Sequence, residues 1–170
     1  MMKLIKSLCF IFVGVLVTAC VNQHPKISNS PTKSHRLIAT SVAISEICDR
    51  LHLDLVGVTD TKAYRLPKRY ENVKRVGLPM NPDMEVISSL KPDLVLSPSS
   101  LKDDLEPKYK TIKVNYGFLN LTSVEGMFQS ILDLGHQYDR EKDLRSWFVT
   151  INNSTKNLKN NIILKANLKY

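Results

Sequence analysis

The chain has few residues that could brace a fold covalently. Three cysteines occur in 170 residues: Cys9, Cys20 and Cys48. Cys9 lies inside an apolar leader and Cys20 at its end, so removal of the first and modification of the second leave no intramolecular disulfide. Cys48, in Ser45-Glu46-Ile47-Cys48-Asp49-Arg50-Leu51, reads as a small buried apolar residue and not a reactive thiol. His24, His35, His52 and His136 have no second ligand at useful spacing, which argues against a zinc framework. A Gly-x-Ser-x-Gly elbow, a phosphate loop, a His-Glu-x-x-His helix and paired cysteines are all missing, so no enzyme is expected. Internal repeats and heptads are missing too. The net charge of +8 and pI near 9.4 would suit nucleic acid, but no arginine stripe or stacking aromatics accompany the lysines. Anionic headgroups and cell-wall polymers beside a lipid-anchored protein are the partners that this charge fits better.

What is present begins with a leader. Met1 to Lys6 is a short basic stretch and Leu8 to Val17 an apolar run too short for a permanent bilayer span. Leu16-Val17-Thr18-Ala19-Cys20 has the form of a bacterial lipobox, which makes Cys20 the expected lipidation site. Two acyl chains there would anchor the protein stably, where one would be marginal. Val21 to Ser34 is polar and cannot join a core, so it reads as a tether.

Beyond it, strands and helices alternate. Arg36 to Thr40 and Leu53 to Val58 read as strands, with a helix from Val42 capped at Thr40-Ser41. Lys74 to Gly77, Leu94 to Leu96 and Thr111 to Asn115 read as further strands, with Ser100 capping a helix over Leu101 to Tyr109. A long helical region should open at Ser123 and run to about Lys159. Strand–helix repetition without long hairpins predicts a small parallel α/β sheet of the Rossmann-like type. With 43% apolar residues, the chain can build one core.

The richest stretch is Val76 to Leu96. Asn81 is placed to cap a short helix with Pro82 at its first position and Asp83 and Glu85 in its first turn. Lys91-Pro92 should end that helix, and Leu94-Val95-Leu96 should be a strand covered on both faces. Met80 lies just outside the cap, between Pro79 and Pro82. A thioether there can fill the core, pack on a ligand ring, or coordinate a soft metal or haem iron. Loops that follow strands in open α/β sheets receive ligands. Thr40, Ser41, Thr61, Lys62, Tyr64, Ser99 and Ser100 lie in such positions, Lys62 for an anion and Tyr64 for a flat ring.

The run Gly77-Leu78-Pro79-Met80-Asn81-Pro82-Asp83-Met84-Glu85, followed by Leu90-Lys91-Pro92-Asp93-Leu94-Val95-Leu96-Ser97, closely resembles the haem-receptor lipoproteins of the iron-regulated surface determinant system. These fall within the ABC-transporter binding proteins for haem, cobalamin and siderophores. The likeness continues through Arg65 to Tyr70 and Ser100 to Asp104. It implies haem as transported ligand, Met80 as an axial iron ligand, and an ABC permease docked through Glu85. It also implies an extracytoplasmic protein held on the bacterial membrane by its lipid. The expected organisation is leader 1–19, lipidated cysteine and tether 20–35, ligand-binding lobe 36–122, helical region 123–160 including an inter-lobe helix, and 161–170 as the truncated start of a second lobe. Ile162-Ile163-Leu164 would be that lobe's first strand. The lobe that supplies an iron-binding histidine in the family would be missing, leaving haem binding weakened or lost. Alternatives are a receptor for a siderophore or another tetrapyrrole, or an inert surface lipoprotein fragment.

Overall fold

The computed structural model describes residues 35–167; the leader, Cys20, His24 and the tether lie outside them. Strands β1 (Leu37–Ala39), β2 (Leu55–Val58), β3 (Lys74–Arg75), β6 (Leu94–Pro98) and β7 (Tyr116–Leu119) form one parallel sheet in the order β3-β2-β1-β6-β7. Between β3 and β6, β4 (Gly77–Leu78) and β5 (Asn81–Pro82) pair as a small antiparallel hairpin. The helices are α1 (Val42–Arg50), α2 (Met84–Ser89), α3 (Lys102–Thr111), α4 (Val124–Gln137) and α5 (Glu141–Asn167).

Alternation along each strand sends successive side chains to opposite faces, which gives the sheet two cores. Leu37, Ala39 and Leu96 pack on one side with Ile44, Ile47, Cys48, Ile131, Leu134 and Leu144. Ile38 and Val95 pack on the other with Val76, Ile87, Leu105 and Tyr109. Leu37-Ile38-Ala39 and Leu94-Val95-Leu96 are therefore apolar without interruption, as both-face burial requires. Where α4 meets α5, Gly135 permits the approach: an added Cβ would stand 2.5 Å from Leu144 Cδ1.

Several local expectations need correction. Asn81 does not cap α2; Asp83 does, its Oδ1 accepting from the amides of Glu85 and Val86 at 3.0 Å each. Aspartate caps as well as asparagine, and the hairpin draws Asn81 into β5. Ser100 does not cap α3 either: Ser99–Leu101 is a 3₁₀ turn, and Leu101 precedes the helix with no side-chain cap bond. The strand expected at Thr111 to Asn115 lies further on. The helix runs through Thr111, Lys113 turns the chain at φ 55°, and Tyr116 to Leu119 form the strand. Ile112 and Val114 are still drawn to the core, which is why they look like strand residues. The long helical region breaks at Tyr138 to Arg140, where Asp139 takes φ 55°. Ile162-Ile163-Leu164 belong to helix α5 and not to a strand. A three-residue apolar run suits either element, and only its setting decides.

Candidate functional site

Because the five strands are parallel, their carboxyl ends share one edge, and the loops that follow them meet there. The loop after β1 is closed by its own chemistry. Thr40 is fully buried; its hydroxyl donates to Leu96 O at 3.2 Å and lies 2.8 Å from Ser97 Oγ. Ser97 Oγ is in turn 2.8 Å from the Tyr109 hydroxyl. Burial raises the pKa of that phenol above its ordinary value, partly offset by its bonds to the two hydroxyls. Ser41 accepts from Ile44 N at 3.3 Å and so caps α1, as expected.

The loop after β2 stays open. Thr59 is buried, and its hydroxyl and the amide of Asp60 both donate to Gly77 O, at 3.3 and 2.7 Å. This ties the loop to the β4–β5 hairpin. The Thr61 hydroxyl accepts from Tyr64 N at 3.2 Å, a tight turn that leaves the Tyr64 ring outside. Gly77 takes φ 90°, a conformation that a side chain resists, and lets the chain reverse into the hairpin.

Loop and hairpin enclose a cleft of about 720 Å³ lined by Val42, the loop Thr59 to Tyr64, Leu78 and Pro79. Its rim is apolar and uncovered: Tyr64 is 72% exposed and Leu78 59%. Met80, one residue beyond Pro79 at the hairpin tip, is 72% exposed. The sulfur is thus presented outward and not folded among aliphatic neighbours. That is the arrangement a soft ligand to a bound metal requires.

Thr61, Lys62 and Tyr64 line this cleft, and Ser41 sits beside its wall residue Val42. Thr40 does not reach it, since its hydroxyl is committed inside the sheet. Ser99 and Ser100 lie on the same edge but beyond β6, outside the cleft lining. Glu85 is exposed in the first turn of α2. Leu78, Ala63, Asp60 and Val42 were not anticipated. An apolar Leu78 inside a Gly-x-Pro-Met loop is the one signal that could have pointed to it.

No described histidine approaches this cleft. His35 packs edge-on against Tyr138 with ring centroids 4.8 Å apart. His52 Nδ1 lies 3.1 Å from Asp143, and His136 Nδ1 3.6 Å from Glu141. Among the described residues, no group of three His, Cys, Asp or Glu could hold a metal ion. A second cavity, lined by Asp49, Arg50, His52, Arg69 and Asp143 with Trp147, lies between the end of α1 and α5. There His52 pairs with Asp143 and Arg69 with Asp49.

Known proteins resemble the chain as follows. The family model for periplasmic binding protein matches residues 37–163. The high-affinity heme uptake system protein IsdE of Staphylococcus aureus strain bovine RF122 / ET3-1 is 33% identical over 165 residues, covering 95% of this chain and 55% of that protein. IsdE of strain Newman is 37% identical over 143 residues, 82% of this chain and 48% of its own length. The chain therefore spans about half the length of the curated relatives it matches. Among solved structures, an ABC transporter substrate-binding protein from Listeria monocytogenes EGD-e superposes with a TM-score of 0.70 at 38% identity, covering 76% of this chain and 50% of that one. The S. aureus IsdE complex with heme gives a TM-score of 0.67 at 35% identity, covering 74% and 48%.

Proposed function

The chain belongs to the periplasmic binding protein family, and from that premise we propose that its cleft receives haem for an ABC importer. In this reading Met80 is one axial iron ligand. One observation carries it: a thioether 72% exposed at the tip of a braced hairpin, beside an apolar cleft rimmed by Tyr64 and Leu78. An exposed methionine has no structural reason to be there, because a thioether gains from burial. A flat iron-bearing guest gives all three side chains a partner.

The remaining roles follow from placement. Lys62 meets a propionate at the cleft wall, Tyr64 stacks on the ring, and Ser41 and Thr61 frame the entrance. Ser99 and Ser100 flank the far side of the same edge. Glu85 is the permease contact, and Cys20, outside the described residues, carries the lipid that holds the protein outside the cell membrane. The protein binds and delivers; it does not catalyse.

The described residues wall one side of such a guest. On these residues alone, haem is held by one iron–sulfur bond and one apolar face, a weaker and more labile hold than a cleft closed on both sides gives. The test is a haemin titration of the chain followed in the Soret band, repeated with Met80→Ala. Saturable binding weakened at least about tenfold by Met80→Ala is expected. Saturable binding indifferent to Met80→Ala removes the ligand assignment, and no saturable change removes haem.

A further inference from the structure

Positive charge is placed very unevenly on this lobe. Residues 62–75 hold six basic side chains and one acidic one, whereas the rest of 35–156 holds eleven basic and fifteen acidic. The excess is concentrated in one connection, from the carboxyl end of β2 to the start of β3. Since β3 is the outermost strand and runs parallel to β2, this connection descends one flank of the sheet.

Little within the fold neutralises it. Arg69 pairs with Asp54 at 2.7 Å and reaches Asp49 at 4.0 Å, and Arg75 donates to the carbonyls of Tyr70 and Glu71. Among the described residues, no carboxylate forms an ion pair with Lys62, Arg65, Lys68 or Lys74. Residues 1–34 contain no Asp or Glu, so that segment supplies no side-chain counter-charge. Of the six cations only Lys62 lines the cleft, so the ligand has no use for the rest. Edge protection does not require them either, because a two-residue β3 is too short to recruit a foreign strand.

We infer that this flank docks on an anionic phospholipid surface. The attraction adds over the cations and strengthens binding roughly fivefold for each one near the headgroups. It acts within a Debye length of about 10 Å, so the flank must lie against the bilayer to feel it. The chain between Cys20 and His35 spans at most about 50 Å, so acylation at the expected lipobox keeps the flank within reach. Docking on the flank leaves the carboxyl edge, with Met80 and the cleft, free of the membrane. This inference does not depend on haem.

The full chain is reconstituted into vesicles of phosphatidylglycerol or of phosphatidylcholine, and each lysine's reactivity is read by mild acetylation and mass spectrometry. Lys68 and Lys74 should react several-fold more slowly on phosphatidylglycerol, and the difference should vanish in molar salt. Lys102, Lys108 and Lys110, on α3 in the other half of the lobe, serve as internal controls and should not change. In R65Q/K68Q, with its fold checked by circular dichroism, Lys74 should regain most of its reactivity. Equal reactivity on both lipids, or equal protection of the α3 lysines, overturns the docking flank without help from any variant. Protection by soluble polyphosphate but not by vesicles would overturn the lipid assignment.

Discussion

On either side of β1 the same parallel sheet is finished in opposite ways. Toward β6 and β7, polar atoms are turned inward. Thr40, Ser97 and Tyr109 form a chain of hydroxyls in the interior, and Tyr109, Tyr116 and Phe118 pack with centroids 5.6 to 6.4 Å apart. Toward β2 to β5, apolar groups are turned outward, with Tyr64, Leu78 and Met80 mostly in water. Buried hydroxyls are tolerated only when bonded, and there they are. Exposed large apolar groups gathered in one place have no such satisfaction within the lobe, which marks a binding surface. One half of the lobe closes over its polar groups, and the other leaves large apolar groups uncovered.

The strongest way to break this division is to attack the finished half. Tyr109→Ala removes a fully buried ring and one of the two hydroxyl partners of Ser97, and should cost about 3–5 kcal/mol in urea unfolding. A loss under about 1 kcal/mol would show that the hydroxyl chain does not hold the sheet.

High pH probes the core of both halves together. Burial raises the Cys48 thiol from 9.0 to about 12 and holds the Tyr70 and Tyr109 phenols above their ordinary values. The folded state therefore keeps protons that the unfolded state releases. The stability is fully present below pH 9.0 and is lost as pH rises toward about 12. For Cys48 alone the loss is about 1.4 kcal/mol per pH unit in that window. Cys48→Ala should flatten the slope between pH 9.0 and the phenol range; an unchanged slope there would mean that the thiol is not sealed.

On the open half, Gly77→Ala should cost about 1–2 kcal/mol. Its Cβ would stand 3.0 Å from Asp83 N at a φ of +90°. Because the hairpin carries Met80, haemin affinity should fall along with stability. Affinity unchanged beside a lost kcal/mol would separate the hairpin from the site. The smallest expected effect on stability is that of Met80→Ala, within about 0.5 kcal/mol because the side chain touches little protein. A larger loss would place Met80 in the core and contradict the division between the halves.

Legibility followed the range of the interactions. The caps at Ser41 and Ser123, the helix stop at Lys91-Pro92, the both-face burial of Val95 and Leu96 and the buried Cys48 are set within a few residues, and each stands as its neighbours suggest. Asn81 and Ser100 suit a cap by residue type, but Asn81 is drawn into β5 and a 3₁₀ turn precedes α3, while the strand expected at 111–115 forms only from Tyr116. For Asn81 the pairing of Gly77 and Leu78 with β5 decided the outcome. Residue type and position after a strand nominate Lys62, Tyr64 and Met80; the fold puts Lys62 and Tyr64 in the cleft lining together with Leu78, which no such signal nominates.

By itself, then, the sequence determined the parallel α/β architecture, the family and the methionine loop, because hydrophobic period, caps and proline positions act locally. The tertiary structure alone decided that Thr40 is sealed inside, that Leu78 joins Tyr64 at a cleft rim, and that the basic loop lies along one flank. Those outcomes depend on strand order, which brings residues from distant loops to one edge, and no local interaction encodes it.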